Sequence, residues 1–439
     1  MSEINRAVKG TNDILPSNVH KWQFVEGVML DTARLFGFSE IRIPVFEHTE
    51  VFKRSVGDTT DVVQKEMYTF DDKGGRSITL RPELTAGVIR SVLENGLTNG
   101  PLPLKVCYIG GCYRYEKPQA GRLREFHQFG VECVGAAAPN ADAEVISLAK
   151  QILDNIGIKK ISLEINSIGC PECRKNYQNA LKEYFKKNLD SLCDTCRDRL
   201  ERNPMRILDC KSPICKEICK NAPVVIDYLC DECENHFNEV KKHLDSAGIK
   251  YTVNPQIVRG LDYYTRTVFE FVSGDIGAQS TVCGGGRYDG LIAQMGGQPT
   301  ASLGFAMGIE RLMMVLESQN AEMPSAPTPD LYIAPMGENA SLKATEICSK
   351  LRSDGFSVQT DITARGLKAQ MKFANKIAAK YTLVLGDDEL NNNSAKLKNM
   401  QAGDETEVAL DNLSESLLTA LNTDALNNLT DTISKEQLF

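Results

Sequence analysis

The chain has 439 residues, which is too long for a single hydrophobic core, so we expect two or three domains. Its composition, 42% hydrophobic and 25% charged, is that of a soluble globular protein, and no apolar run approaches the ~20 residues that a membrane span needs. The formal net charge of −8 argues against indiscriminate nucleic-acid binding but leaves room for a local basic face.

The N-terminal segment lacks the cationic start and apolar stretch of a secretory signal, so the sequence predicts a cytoplasmic protein. Apolar residues recur at helical spacing between Lys21 and Phe36, and this spacing predicts the first helix. The next residues, FSEIRIPVFE at 38–47, alternate as in a strand that Pro44 interrupts.

The segment LRPELTAGVIR, residues 80–90, leads into a second helix and carries two polar side chains where that helix begins. Glu83 and Thr85 can supply an anionic and a hydroxyl acceptor to an ammonium group. The same arrangement is also typical of a helix N-cap. The residues alone do not separate these two interpretations.

Residues 103–135 predict two strands joined by a loop, with YRYEKPQAGRLREFHQF (113–129) at the turn. This stretch combines three arginines and four aromatic rings around a central glycine. If Arg114 lies on a strand, its planar guanidinium can donate bidentate hydrogen bonds to a phosphate. Phe126 on the return strand would offer a ring on which a base can stack. The alternative is a polar hairpin with ordinary cross-strand packing.

Nine of the fourteen cysteines lie in a helical, highly charged segment, about 169–240, that looks inserted because it interrupts the strand pattern. In a large cytoplasmic protein, CxxC pairs indicate metal ligands sooner than disulfides, and such a turn brings two thiolates to one zinc ion. The candidate zinc ligands are Cys170, Cys173, Cys193, Cys196, Cys210, Cys215, Cys230 and Cys233. The sequence does not determine their grouping, and reduced cysteines without a metal are the alternative.

Strand patterns resume after the cysteines and contain two further candidate segments. In RGLDYYTR, 259–266, two adjacent tyrosines follow an arginine and an aspartate. Neighbouring residues of a strand face opposite ways, so Tyr263 and Tyr264 cannot both point to solvent; an edge strand with amphipathic tyrosines is the alternative. In CGGGRYDG, 283–290, the glycine triplet predicts a tight turn rather than a phosphate-binding loop.

The residues SLGFAMGIERLMMVLE, 302–317, predict a strand that passes into an amphipathic helix, with Arg311 near the start of the helix. The Pro- and Ser-rich segment MPSAPTPD, 323–330, predicts a linker. Beyond it, short apolar runs alternate with segments of helical period, which is the pattern of a small α/β domain.

A basic stripe runs along one predicted helix of this α/β domain. Its lysines recur every fourth residue and therefore share one helical face: Lys368, Lys372, Lys376 and Lys380. A basic stripe beside an apolar face is the pattern of a phosphate-binding surface, despite the negative net charge of the chain. A solvated helix face is the alternative.

Together, these segments resemble the class II aminoacyl-tRNA synthetases, and specifically the bacterial histidyl-tRNA synthetases. The resemblance runs nearly end to end, from KGTNDILP at 9–16 to the C-terminal α/β domain. The three class II motifs resemble, in order, FSEIRIPVFE, YRYE…GRLREFHQFGVE and GFAMGIERL. The two segments peculiar to the histidine enzymes resemble RGLDYYT and GGGRYDGL.

The resemblance implies a role for each matching residue. The implied ATP-binding residues are Arg114 at the α-phosphate, Arg122 and Arg311 at the β- and γ-phosphates, Phe126 at the adenine ring, and Glu116. The implied histidine-binding residues are Glu83, Thr85 and Gln128 at the α-amino and carboxylate groups, Glu132 and Tyr264 at the imidazole, and Tyr263, which helps to close the pocket. The implied catalytic residues are Arg259 and Arg114, on opposite sides of the α-phosphate.

The resemblance also implies the reaction and its partners. L-Histidine reacts with ATP to give histidyl-adenylate and pyrophosphate, and the histidyl group then passes to the 3′ end of tRNA(His). The substrate brings its own nucleophile, so fixed guanidiniums and Mg²⁺ act through positioning and electrostatics. A homodimer is implied, and structural zinc is a candidate for the insertion. The candidate tRNA-binding residues are Lys117, Gln119, Lys368, Lys372 and Lys376.

The implied fold class is α/β (α+β), with an antiparallel-sheet catalytic domain and a C-terminal α/β anticodon-binding domain. The expected limits are 1–168 and 241–325 for the catalytic domain, 169–240 for the cysteine-rich insertion, 330–425 for the anticodon-binding domain and 426–439 for a polar tail.

A catalytically silent relative is the alternative function: either a synthetase-like regulatory subunit of ATP phosphoribosyltransferase or a tRNA-sensing module. Such regulatory subunits typically lack the anticodon domain and an intact RGLDYY segment, both of which are present here. The intact set of Arg114, Arg259 and Arg311 argues against a silent tRNA sensor.

Overall fold

The computed structural model describes residues 6–57, 60–208, 210, 212–257 and 261–436. The chain forms two compact units, Met1–Pro324 and Ser325–Phe439, and each has its own hydrophobic core. The division falls within the segment that the sequence predicts as a linker. Among the described residues, no helix is both long enough and apolar enough to cross a membrane.

The first unit is built on an antiparallel-rich sheet. Its strands are β1 (Ser39–Glu40), β2 (Phe46–His48), β3 (Thr69–Asp71), β4 (Ser77–Leu80), β5 (Leu104–Tyr113), β6 (Glu125–Val134), β7 (Ser162–Ser167), β8 (Thr252–Val253), β9 (Thr265–Val272), β10 (Thr281–Arg287) and β11 (Ser302–Gly308). The large sheet has the order β1-β5-β6-β11-β10-β9-β7-β8, and a small sheet has the order β2-β4-β3. Only the pairs β1–β5 and β7–β8 of the large sheet are parallel among the described strands.

Helices cover this sheet and form the insertion. They are α1 (Val19–Leu35), α2 (Thr49–Val56), α3 (Thr85–Glu94), α4 (Pro139–Asn155), α5 (Pro171–Lys186), α6 (Asp194–Arg202), α7 (Pro213–Cys219), α8 (Asp231–Ser246), α9 (Leu291–Gln294) and α10 (Ile309–Ser318). One core cluster joins α1, α4, α8 and α10 to the sheet, through residues such as Met29, Ile152, Leu244 and Leu312. The helix α8 therefore belongs partly to the main core, beyond the expected end of the insertion at 240.

The predicted hairpin is confirmed as β5 and β6, which pair over their full length from Leu104↔Val134 to Tyr113↔Glu125. The predicted strand at 38–47 is divided between β1 in the large sheet and β2 in the small sheet, with Pro44 between them. A proline cannot donate to a strand ladder, which accounts for this break.

The glycine triplet of CGGGRYDG lies inside β10, so the prediction of a tight turn is wrong. The triplet instead makes room for the adjacent strands. A Cβ atom on Gly285 would lie 2.3 Å from the carbonyl oxygen of Gly304 on β11. The pattern of several glycines that predicts a turn thus also fits a strand in close contact with its neighbours.

The second unit is an α/β domain, as the sequence predicts. Its strands are β12 (Leu331–Pro335), β13 (Val358–Thr360), β14 (Tyr381–Leu385), β15 (Ser394–Asn399) and β16 (Glu405–Ala409). Its helices are α11 (Glu338–Ser353), α12 (Leu367–Lys376), α13 (Asp387–Asn392) and α14 (Leu413–Glu436). The sheet order is β13-β12-β14-β15-β16. The strands β13, β12 and β14 run parallel, β15 pairs antiparallel with β14, and β16 pairs antiparallel with β15. The segment predicted as a polar tail continues α14 to Glu436.

Candidate active site

A cavity of about 780 Å³ lies in the first unit, between the β5–β6 hairpin and strands β9, β10 and β11. Predicted site residues from four separate sequence segments line it: Glu83, Thr85, Arg114, Glu116, Arg122, Phe126, Gln128, Glu132, Tyr263, Tyr264 and Arg311. The fold thus brings together the residues that the resemblance assigns to ATP and to histidine. Arg259, the remaining predicted catalytic residue, lies outside the described residues.

Arg114 and Phe126 lie together on the hairpin at one end of the cavity. The guanidinium of Arg114 stands over the Phe126 ring, 5.3 Å from its centre, and its Nε donates to the carbonyl oxygen of Pro82 at 2.8 Å. The buried carboxylate of Glu116 pairs with Arg122 at 2.5 Å and lies 4.0 Å from Arg114. These contacts hold two guanidiniums and one aromatic ring in fixed positions.

Arg311, near the start of α10, adds a third guanidinium. Its Nε and Nη1 donate to the carbonyl oxygens of Gly121 and Thr281, each at 2.9 Å. Burial lowers the pKa of Arg311, and the positive charges of Arg122 and Arg114 lower it further. A polyanion would relieve this repulsion, so this end of the cavity suits phosphate groups.

Two carboxylates line the same end of the cavity. Glu116 comes from the hairpin and Glu270 from β9, where it accepts a hydrogen bond from the Thr281 hydroxyl at 2.8 Å. Their negative charges partly offset the lowering of the Arg311 pKa by burial and by the other arginines. Carboxylate oxygens are the protein ligands that Mg²⁺ prefers, so the donor set fits this ion.

Glu132 lies at the other end of the cavity and is 1% exposed. The hydroxyl of Tyr108 donates to its Oε1 at 2.7 Å, and the hydroxyl of Tyr288 donates to its Oε2. Burial raises the pKa of Glu132 to about 8, although both of these hydrogen bonds oppose the shift. Glu132 is therefore a buried carboxyl group that can hold or release a proton near neutral pH.

Two glycines create the space that Glu132 occupies. A Cβ atom on Gly304 would lie 2.2 Å from Oε2 of Glu132, and a Cβ atom on Gly130 would lie 2.4 Å from the ring of Tyr108. Neither approach is sterically allowed, and the Cβ atom on Gly304 would also lie 2.1 Å from the backbone carbonyl oxygen of Val131. Any other residue at these strand positions would therefore displace the carboxyl group, its donor or the paired strand.

Three tyrosine rings form the wall beside Glu132. The ring centre of Tyr263 lies 4.7 Å from that of Tyr264 and 5.5 Å from that of Tyr288, with the last pair in an edge-to-face arrangement. Sequence reasoning missed Tyr108 and Tyr288 as partners of Glu132. Tyr288 belongs to the CGGGRYDG segment, which gave a signal for the site, whereas Tyr108 gave none.

The position of Glu132 in the sequence also allows a purely structural role, in which it pairs with Arg124 or Arg122 across the hairpin. The structure shows that this pairing is wrong. Arg122 pairs with Glu116, and the guanidinium of Arg124 stacks on the ring of Tyr115 at 4.2 Å from its centre. Glu132 lies farther along β6, where its hydrogen-bond partners are tyrosine hydroxyls.

Glu83 caps a helix and lines the cavity at the same time. Its carboxylate accepts hydrogen bonds from the backbone N–H groups of Thr85 and Ala86, each at 2.8 Å, at the start of α3. Burial raises the pKa of Glu83. Because both Glu83 and Thr85 also face the cavity, the two interpretations of this segment are compatible. Gln128, on β6, accepts a hydrogen bond from the Cys112 thiol at 3.3 Å.

The predicted tRNA-binding residues lie on two exposed surfaces, one in each unit. Lys117 and Gln119 are exposed on the loop that joins β5 to β6. Lys368, Lys372 and Lys376 are exposed on α12.

The prediction that Lys380 extends this helical stripe is wrong. The helix α12 ends at Lys376, and Ala378 then adopts a positive φ of 52° that turns the chain toward β14. Lys380 instead forms an ion pair with Asp330 at 2.8 Å.

The eight candidate zinc ligands form two groups of four, which are free thiols. The first tetrad consists of Cys170, Cys173, Cys230 and Cys233. The second tetrad consists of Cys193, Cys196, Cys210 and Cys215. Within each tetrad the sulfur atoms all lie within 4.8 Å of one another, so the structure resolves a grouping that the sequence left open.

Comparisons with known proteins agree with this geometry. Residues 10–312 match the family model described as histidyl-tRNA synthetase, and residues 330–419 match the one described as anticodon binding domain. The chain is 56% identical to the histidine–tRNA ligase of Acetivibrio thermocellus, over 93% of this chain and 98% of the relative. It is 53% identical to that of Clostridium novyi, over 93% and 98%.

Solved structures give the same result. The apo histidyl-tRNA synthetase of S. aureus superposes with a TM-score of 0.81 at 39% identity, over 94% of this chain and 99% of that one. The histidyl-tRNA synthetase of Nostoc sp. PCC 7120 shares the fold, with a TM-score of 0.69 at 18% identity and coverage of 95% and 100%. Both the predicted resemblance and the predicted fold class are confirmed. The chain belongs to the histidyl-tRNA synthetase family.

Proposed function

We propose that this protein is a histidine–tRNA ligase that activates L-histidine with ATP and transfers it to tRNA(His). One observation supports this most directly: a single cavity has three guanidiniums at one end and a buried carboxyl group among tyrosines at the other. The first end suits a nucleoside triphosphate, and the second suits a side chain with a ring N–H group. The catalytically silent alternative has no comparable support, since the lining set is intact.

In the first step, a carboxylate oxygen of histidine forms a bond to the α-phosphorus of ATP, and the bond to pyrophosphate breaks. Arg114 is proposed to hold the α-phosphate, and Arg122 and Arg311 the departing phosphates. Arg259 is assigned to the opposite side of the α-phosphate by the resemblance alone. Such fixed donors stabilise the charge that builds on the phosphoryl oxygens and require little reorganisation during the reaction.

Adenine is proposed to stack on Phe126, which the Arg114 guanidinium already contacts from one side. Glu116 and Glu270 are the carboxylates that could hold Mg²⁺ at this end. When bound, the ion would neutralise phosphate charge. Glu83, Thr85 and Gln128 are assigned to the amino and carboxylate groups of histidine, while Glu132 accepts the ring N–H and Tyr264 adds a second polar contact beside Tyr263.

In the second step, a ribose hydroxyl at the 3′ end of tRNA attacks the carbonyl carbon of the adenylate, and AMP departs. The exposed loop that carries Lys117 and Gln119 would meet the acceptor stem beside the cavity. The domain limits predicted from the sequence remain proposals, except that α14 continues through the predicted tail to Glu436. A cytoplasmic location is also proposed.

The function is tested by histidine-dependent exchange of labelled pyrophosphate into ATP. We expect exchange with histidine and no exchange with phenylalanine or leucine, because buried polar groups would remain unpaired beside an apolar side chain. Charging of tRNA(His) should follow in the complete reaction. A protein that binds tRNA(His) yet catalyses no exchange would instead support the silent alternative.

The three exposed lysines of α12 are expected to bind tRNA phosphates. Replacing Lys368, Lys372 and Lys376 together with alanine should weaken tRNA binding and lower the slope of log K against log salt by about 0.7–0.9 per lysine. Lys396→Ala, on β15 of the same unit, is the control, because this exposed lysine is paired with Glu405 at 3.5 Å. Unchanged affinity and an unchanged slope in the triple variant would contradict the proposed surface.

We also propose a homodimer held by the segment Ile41–Phe46. Val45 and Phe46 are 41% and 59% exposed, which suits an apolar contact with a second copy. Sedimentation at micromolar concentration should give about twice the 48.5 kDa chain mass. Phe46→Asp should shift the mass toward the monomer, whereas Leu342→Asp, at an exposed leucine of the second unit, should not. An active wild-type monomer would contradict the proposal.

A further inference from the structure

The cysteine-rich insertion contains two clusters of thiols that the proposed reaction does not use. The first tetrad comes from the beginnings of α5 and α8, the first and last helices of the insertion. The second tetrad comes from the beginning of α6, from Cys210 and from Cys215 on α7. We propose that the insertion binds two structural zinc ions, one in each tetrad.

The spacing of the sulfur atoms fits tetrahedral zinc. Four thiolates at about 2.3 Å from one ion lie about 3.8 Å from each other. Cys170 Sγ lies 3.5 Å from Cys173 Sγ, and Cys193 Sγ lies 3.8 Å from Cys210 Sγ. A disulfide would require about 2.05 Å, so these sulfurs are arranged around a common centre and are not paired covalently.

Backbone N–H groups point at several of these sulfurs. The N–H of Cys230 donates to Cys173 Sγ at 3.1 Å, and the N–H of Cys193 donates to Cys215 Sγ at 3.4 Å. In the second tetrad, the N–H of Ser212 also donates to Cys210 Sγ at 3.4 Å. Such donors around a metal site orient the ligands and stabilise negative charge on them.

Helix N-termini provide a further reason for thiolate ligands. Cys170, Cys193 and Cys230 each stand immediately before a helix, namely α5, α6 and α8. The partial positive charge of a helix N-terminus stabilises a thiolate there. The first cysteine of each CxxC pair therefore lies where the helix N-terminus stabilises a thiolate. The second cysteine, three residues later, belongs to the same tetrad.

The first tetrad closes the insertion at its base. It joins residues that are 57 positions apart, Cys173 and Cys230, at the point where the chain leaves β7 and returns through α8. The same region contacts the tyrosine wall, since Arg174 Nη1 donates to the carbonyl oxygen of Tyr264 at 3.0 Å. An ion here would hold together α5 and α8, and Arg174 of α5 contacts the tyrosine wall.

The second tetrad lies within the core of the insertion. Cys196, Cys210 and Cys215 belong to a small cluster with Leu200 and Ile207, separate from the main core of the unit. A cluster of this size supplies little burial on its own, and small domains commonly gain their stability from a metal. The second ion would therefore stabilise the insertion itself.

The zinc content of the full-length protein tests the proposal. Protein purified with a reductant is equilibrated with zinc sulfate, desalted, and measured by mass spectrometry of the metal. We expect two zinc ions per chain in the wild type, one in Cys233→Ser and one in Cys196→Ser. Cys219→Ser is the matched control and should keep two ions, because this buried cysteine of the insertion donates to the Ile207 carbonyl at 3.4 Å and belongs to neither tetrad.

The wild-type protein provides a second measurement that does not depend on the folding of the variants. Protein produced in zinc-depleted, cobalt-containing medium should hold two Co²⁺ ions, with the strong absorption bands of tetrahedral tetrathiolate sites. Fewer than two ions per wild-type chain, weak octahedral bands, iron with sulfide in place of zinc, or loss of an ion from Cys219→Ser would overturn the proposal. These measurements do not involve catalysis, so a result that overturns the zinc proposal would not affect the proposed ligase activity.

Discussion

Replacing Arg114 with glutamine is expected to lower the rate of histidyl-adenylate formation by about 10²–10³-fold, the usual effect of removing a preorganised donor to a developing anion. Arg114 is one of three guanidiniums at the phosphate end of the cavity and also stands over the Phe126 ring. Glutamine keeps a hydrogen-bond donor but loses the charge and the two-pronged geometry. The loss should therefore fall mainly on the chemical step.

Single-turnover formation of the adenylate, at saturating ATP and histidine, measures this effect. Arg124→Gln is a matched control from the same loop, because its guanidinium stacks on Tyr115 and lies outside the lining of the cavity. The control should retain a rate within a few-fold of the wild type. An Arg114 variant that forms the adenylate at a near-normal rate would remove this residue from the mechanism.

Glu132→Gln is expected to raise the KM for histidine by about 10–10²-fold, which corresponds to the loss of a hydrogen bond to a charged group. The KM for ATP should change little, because Glu132 lies at the end of the cavity away from the three arginines. Glutamine has nearly the same shape, so the pocket should keep its volume. A variant with wild-type histidine affinity and a lowered melting temperature would show that Glu132 has only a structural role.

The pH dependence of histidine binding gives an independent measure of the same residue. With a Glu132 pKa of about 8 in the free enzyme and an imidazole pKa of about 6.5, the free partners carry one exchangeable proton between these pH values. The proposed complex keeps this proton on the ring, as an imidazolium whose N–H the Glu132 carboxylate accepts. Above pH 8 the complex must take up this proton, so the KM should rise as pH rises. Below pH 6.5 both groups are protonated and one proton must leave, so the KM should rise as pH falls.

Glu132→Gln serves as the control for the alkaline limb. Glutamine does not titrate, so the rise in KM above pH 8 that belongs to Glu132 should disappear in the variant. Ionisation of the histidine amino group affects both proteins equally, and the difference between them isolates the residue. Identical profiles in the two proteins would contradict proton sharing at Glu132.

The sequence could predict the parts of this structure that depend on local patterns. The hairpin of β5 and β6 follows from alternation and a glycine-containing loop, and its arginines carry a recognisable chemical signal. The strands β15 and β16 could not be predicted as easily, since SAKLKN and ETEVA are largely polar, with two fully buried residues in the first and one in the second. Their positions depend on tertiary pairing: β15 pairs with β14, and β16 pairs with β15 at the edge of the sheet.

The partners of Glu132 show a second limit of sequence reasoning. Tyr108 and Tyr288 are 180 residues apart in the chain and meet only because β5, β6 and β10 belong to one sheet. The grouping of the cysteines has the same origin, since the first tetrad joins two ends of the insertion. Close pairs in a sequence indicate ligands, but the fold decides which pairs share a centre.

The glycines beside Glu132 have a consequence for how this enzyme could acquire a different amino-acid preference. A single methyl group at Gly304 would overlap the Glu132 carboxyl group, and one at Gly130 would overlap the ring of Tyr108, which donates to it. The proposed recognition of the imidazole therefore requires that neither position carries a Cβ atom. Because a Cβ atom on Gly304 would also lie 2.1 Å from the backbone carbonyl oxygen of Val131, a substitution there would push β6 and β11 apart, and we expect altered specificity to arise at other residues of the pocket.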